Sequence, residues 1–181
     1  MTRMSNSVRR AAAAALIVGA AGCASLWHRG PEVPSDANIA AIILAANNTD
    51  ISYARLAPGR AQSQTIKDFA ASMLADHTHV NQVLMDVLNR INLTPEDNTT
   101  SLDFRDESTT KRDLMRDLAG HAFDSTYIAN EVDYHTKLLA SIDRVLLPNA
   151  RNAELKRTIA GIRPAVAGHL AHAQQVQRSL K

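Results

Sequence analysis

Apolar positions recur at steps of three and four residues through most of the chain beyond residue 35, the period of helices that bury one face. The clearest run carries Ile66, Phe69, Met73, His77, Val80, Leu84, Val87 and Ile91. One position in that stripe is an imidazole where a leucine would fit. A first stripe precedes it, with Ile39, Ile42, Ala46, Thr49 or Asp50, Tyr53 and Leu56. Ser35 is its N-cap, Asp36 lies in the first turn, and Pro58-Gly59 closes or bends the helix. Ser63 opens the second helix. The third carries Phe123, Tyr127, Glu131, Tyr134, Leu138, Ile142 and Val145 and ends before Pro148-Asn149. The fourth carries Leu155, Ile159, Ile162, Val166, His169, Ala173, Val176 and Leu180. Between the second and third, NLTPEDNTTSLDFRDESTT is polar and rich in turn residues. It reads as a long connection, followed by a short helix from Lys111 to Leu118 that Gly120 stops. The pattern predicts an all-α fold, an antiparallel four-helix bundle over residues 36–181.

Composition agrees with that expectation. Hydrophobic residues make up 45% of 181 positions but aromatics only 4%, so aliphatic side chains must fill the core, which suits close-packed helices. The formal charge of +2 is misleading. Residues 1–22 hold Arg3, Arg9 and Arg10 and no acidic residue; without those three of the 20 basic side chains, 17 face 18 acidic ones, a net charge of −1. No basic run or aromatic-interleaved patch points to nucleic acid, and no glycine-rich loop points to nucleotide.

The same 22 residues read as an address. A basic start leads into AAAAALIVGAA, too short to span a bilayer but matching the apolar region of an export signal. Cys23, the one cysteine, falls where that region ends and has no disulfide partner within the chain. AAGC resembles a bacterial lipobox, departing at Ala20 where leucine is preferred. The expectation is a signal peptide at 1–22 and a lipidated Cys23 followed by a tether to Ser35. That anchors an exported protein to the cell envelope, at the outer membrane facing the periplasm. Ordinary cleavage nearby, leaving a free thiol, is the alternative.

Three polar residues stand in the apolar stripes: His77, Glu131 and His169. Asp50 lies beside the first stripe, and His135 shares the face of Glu131 one turn on. Counted from the two helix–helix turns at ~1.5 Å per residue, these groups fall within about one turn of a common level. His121, Asp124 and His172 read as a solvated cluster near one end, and His79 points away from the core. No serine sits in a nucleophile-elbow context.

The strings NNTDISYARLA, IKDFAASMLADH, FDSTYIANEVDYH and IRPAVAGHLAHA resemble a ferritin-like "predicted outer membrane protein" family, domain of unknown function 4142. Asp76-His77, Phe123-Asp124 with Tyr127, His135, and Pro164 with His169 carry most of the resemblance. It implies an antiparallel helical bundle in the envelope and no assigned activity. Di-iron bundles use Glu-x-x-His pairs, whereas here Leu74 and Val166 lie three residues before His77 and His169. Two readings remain. In the first, the bundle is a non-catalytic structural or interaction module for an envelope partner, its histidines satisfied by Glu131 and by Tyr53, Tyr127 and Tyr134. In the second, His77, Glu131, His135 and His169, with Asp50 as a further donor, bind one Zn, Mn or Fe ion in a metal-binding or redox-protective protein.

Overall fold

The structure is a computed structural model that describes residues 33–180. The expected export signal, Cys23 and most of the expected tether lie outside the described residues, as does Lys181. Among the described residues the fold is all-α, with no strand and five long helices where the pattern of apolar positions predicted four.

Helix α1 spans Asp36–Ala54 and starts as expected. The Ser35 hydroxyl accepts from the Asn38 amide N–H, and the Asn38 side chain accepts in return from the Ser35 N–H. Its burial extends far beyond the predicted stripe. Ala40, Ala41, Ala45 and Ile51 are buried along with Ile39, Ile42, Ala46 and Tyr53, because α1 is flanked by neighbours on two sides. Small residues on its second face let a helix approach closely. A short helix, α2 (Ala57–Arg60), turns the chain at Pro58 into α3, Gln64–Arg90. Ser63 stands at the N-cap of α3 but its side chain makes no capping bond. The Asp124 carboxylate accepts there instead, from the N–H groups of Gln62 (3.1 Å) and Ser63 (2.8 Å).

The segment expected as a long connection is the fifth long helix, α4, Thr99–Arg116. Asn98 caps it by accepting from the Ser101 N–H at 2.9 Å. Its inward face carries Ser101, Ser108 and Met115, so the periodicity is real but written mostly in small polar residues. Those residues suit a close seam with α1: the Thr49 hydroxyl donates to the Phe104 carbonyl, and the Ser52 and Ser108 hydroxyls lie 3.3 Å apart. Gly120 opens the next helix where it was expected to stop one. Its φ of +60° is a left-handed conformation that suits glycine at the turn before α5, Gly120–Ser141.

The α5 helix widens into a π-helical turn, Ile142–Leu146. Pro148 has no N–H to give, and the Leu147 N–H reaches back to the Ile142 carbonyl. After α6 (Leu147–Asn149), Asp36 at the start of α1 ties down the turn before α7 by accepting from the N–H groups of Arg151 and Asn152. Helix α7, Ala153–Ser179, then runs unbroken through Pro164. It packs on α5 and α3, while α3 packs on α1. No helix among the described residues is long and apolar enough to cross a membrane. The result is an all-α arrangement of five long helices in which α4 and α3 both pack on α1, so the predicted four-helix bundle is not what forms.

Candidate metal centre

Helices α1, α3, α5 and α7 each turn at least one side chain of a metal-ligand type into one cluster. Helix α1 contributes Asp50, α3 His77, α5 Glu131 and His135, and α7 His169. Asp50, Glu131 and His135 are wholly enclosed, His77 is 2% exposed, and His169 is partly buried at 12%. One donor atom from each of His77, His135 and His169 can be chosen so that all lie within 4.8 Å of one another, and the same holds for Asp50, Glu131 and His135. The three imidazole rings stand as a triangle with centroids 5.3–5.7 Å apart. All five residues named from the sequence are therefore brought together. Asp50, read there as lying beside its stripe, is the hub: its Oδ2 lies 3.1 Å from His77 Nε2 and 3.2 Å from His135 Nε2.

The far side of each ring is tied down. His77 Nδ1 is 2.8 Å from the Asn47 amide oxygen. That amide is itself oriented, since its nitrogen donates to Asn81, whose own nitrogen donates to Asn48. His135 Nδ1 lies 3.0 Å from the Glu131 backbone carbonyl, which can only accept, so Nδ1 carries the proton. His169 Nε2 lies 3.0 Å from the Asp76 carboxylate. In each case the outer nitrogen serves an acceptor, leaving the inner one as a lone pair when the ring is neutral.

The inner atoms face one another. His77 Nε2 and His135 Nε2 lie against Asp50 Oδ2, and Glu131 Oε2 is 3.4 Å from His135 Nδ1, while Asp50 Oδ1, Glu131 Oε1 and His169 Nδ1 are buried with no hydrogen-bond partner. Burial of an unpaired polar atom costs roughly 1–3 kcal/mol, so these atoms are a liability. The Tyr134 hydroxyl donates to the Ala46 carbonyl and not to an imidazole.

Electrostatics follow from the packing. Burial works against an ionised Asp50, yet His77 and His135 outweigh it and hold the carboxyl below its ordinary value. Glu131 is pushed up to about 7, first by burial and then by the charge of Asp50, with His135 pulling the other way. Burial also lowers His135, but Glu131 and Asp50 raise it above the usual imidazole range. His169 is held below that range by burial and by the neighbouring imidazoles. The site therefore sets one anionic carboxylate, and one that exchanges its proton near neutrality, against one imidazole whose protonation they favour and one held neutral.

The second cluster named from the sequence does not assemble. Asp124 is buried as the cap at the start of α3, His121 is exposed beside Ser125, and the exposed His172 packs its ring on Phe69 at 5.0 Å. His79 is exposed, as expected. Asn47, Asn81 and Asp76 hold the rings in place and were not read as part of the site.

Residues 28–176 match the family described as Domain of unknown function (DUF4142), and the chain belongs to that family. No curated protein and no solved structure matches the chain.

Proposed function

We propose that this DUF4142 chain is a metal-binding protein whose helical core holds a single divalent first-row ion. The ligands are His77 Nε2, His135 Nε2, His169 Nδ1 and the Asp50 carboxylate, with Glu131 positioned to add an oxygen. One observation carries the reading. Ligand-type atoms of five side chains converge, while the opposite nitrogen of every imidazole is fixed by an acceptor. That pairing of a converging inner face with an anchored outer face is how protein imidazoles are prepared for a metal. Spacing agrees as well. Two ligands on one ion at bonds of ~2.1 Å stand roughly 3.0–3.4 Å apart for right-angled to tetrahedral geometry. The two contacts to Asp50 Oδ2 are 3.1 and 3.2 Å.

His135 has one free nitrogen, since Nδ1 is committed to a carbonyl, and both sets of three ligand-type residues share it, so the reading is of one ion held by the whole cluster. Three imidazoles and a carboxylate suit Zn, Fe or Mn. The same reading places the protein in the envelope, exported and held by acyl chains on Cys23 at the periplasmic face of the outer membrane. The placement of that unique cysteine at the end of an apolar stretch supports it.

The test is direct. Residues 24–181, expressed untagged, should carry about one equivalent of metal by mass spectrometry, and a chelator should lower the melting temperature. A metal-free protein whose melting point ignores both chelator and added Zn, Fe or Mn would sink the proposal. For the anchor, the N-terminal peptide of the full-length protein should carry a diacylglycerol mass; an unmodified thiol there would end that part.

A further inference from the structure

One helical turn from the metal-binding side chains, in the direction of the α7 N-terminus, the core contains a cavity of about 20 Å³. Its walls are Ile43 and Ala46 from α1, Leu138, Ile142 and Leu146 from α5 and its π turn, and Ile159, Ile162 and Val166 from α7. The one polar residue lining it is Asn47, the residue that accepts from His77. Val166 lies three residues before His169, Leu138 three after His135, and Asn47 three before Asp50. The space therefore abuts the site from three of its four helices.

A cavity needs about 10–15 Å³ of this measure to admit a water-sized particle, so the space is large enough for one small molecule. Water itself is a poor tenant, because it requires two to four polar partners. Here Asn47 is the one polar wall, with one bond of its oxygen taken by His77 and one of its nitrogen by Asn81, too little for a water that needs two to four partners. Every other wall is aliphatic. Ile162 is the one lining residue that is not fully buried. The geometry has a local cause: the π turn displaces Ile142 and Leu146 from the register a continuous α-helix would give them.

We propose that this cavity takes one small apolar molecule of dioxygen's size and presents it to the metal site. The proposal rests on the metal reading for its purpose, but the occupancy of the cavity does not. It can therefore be tested without any metal. Dissolved dioxygen is paramagnetic and speeds the relaxation of methyl groups it visits. Methyl-labelled protein of residues 24–181 would be compared under nitrogen and under several atmospheres of oxygen, apo and Zn-loaded. The methyls of Ile43, Leu138, Ile159 and Val166 should relax several-fold faster under oxygen than those of Leu88 and Leu155, which are equally buried but do not line the cavity.

Two variants move the result in opposite directions. Val166→Leu adds a methylene to the cavity and should remove the excess relaxation; Ile159→Val enlarges the space and should increase it. Xenon under pressure should shift the same methyl resonances and respond to the variants in the same order. If the lining methyls relax no faster than the controls, the cavity is closed to such molecules and the inference fails. An excess that persists unchanged in Val166→Leu refutes it as well, since the gas would then be elsewhere. Metal titration of the same samples is read separately, so a protein that binds no metal but fills its cavity would overturn the first proposal and leave this one standing.

Discussion

Glu131→Gln isolates the electrostatic cost of the site. Glu131 is wholly buried, and its carboxyl is raised to about 7 from an ordinary value of 4.5. Each tenfold change in proton affinity is worth ~1.4 kcal/mol, so ionising this group in the folded, metal-free protein costs about 3 kcal/mol. The sign follows from linkage. A folded-state value above the unfolded one favours the fold fully below 4.5, and that contribution is lost as pH rises to about 7. Glutamine keeps the shape and carries no charge, so apo Glu131→Gln should exceed the wild type in stability at pH 8. Losing the ionic partner of His135, 3.4 Å away, offsets part of the gain and leaves about 2 kcal/mol. At roughly 2–4 °C per kcal/mol in a domain of this size, the melting point rises by about 4–8 °C. At pH 5 the folded carboxyl is already protonated and the gain falls below about 1 kcal/mol. Circular-dichroism melts in chelator at pH 5 and pH 8 measure both values. Saturating metal should reverse the order, because the variant then lacks a charge facing the ion. A gain of equal size at both pH values, or none at either, would refute the electrostatic reasoning.

Three further outcomes follow from the same geometry. His77→Ala and His169→Ala should each lose stoichiometric metal by mass spectrometry while keeping their helical circular dichroism; retention of metal by both would show the ligand set to be wrong. Asp76→Asn should weaken metal binding by about 10–100-fold, because a neutral amide oxygen at the outer nitrogen of His169 raises the ring's basicity less than a carboxylate does. Asp76 is 56% exposed, so its apo melting point should stay put, and a falling one would mark it as structural instead. Asp124→Ala strips the cap from two backbone N–H groups at the start of α3 and should cost about 2–4 kcal/mol in urea unfolding without changing metal affinity.

Helix α3 was legible from end to end because its buried residues are large and apolar and its other face is charged. Helix α4 was not, because Ser101 and Ser108 bury as fully as leucines when a neighbouring helix of alanines approaches closely, and hydropathy cannot register that. The same geometry hid the second buried face of α1. Among the site residues, His77, Glu131 and His169 stood out as polar breaks in apolar stripes. Asp50 was underrated, since its place at the hub depends on where α3 and α5 point their imidazoles. Asn47 and Asp76 act only through contacts 30 and 93 residues away in sequence, so local pattern held no sign of either. Nor does periodicity say where a phenol points. Tyr134 faces inward as read, but its hydroxyl goes to a carbonyl of α1 and not to an imidazole.

The cost of that arrangement argues for what it is. A domain of this size is held together by a net ~5–15 kcal/mol, and burying two carboxylates and three imidazoles that face mainly one another subtracts from it. Were helix register the only need, leucines at 50, 77, 131 and 135 would supply it with no such cost. A ligand that binds only the fold restores stability by RT ln(1 + [L]/Kd), about 4 kcal/mol at a thousandfold excess over Kd. An ion joined to residues as distant as Asp50 and His169 also ties α1, α3, α5 and α7 to one point, which no pairwise hydrogen bond among them does. Metal loading should therefore add stability to a fold that forms without it. The apo protein should show its loosest amide exchange around residues 47–50, 77, 131–135 and 169, with protection there rising most when the ion is added. Uniform protection in both states would mean that the core is satisfied without it.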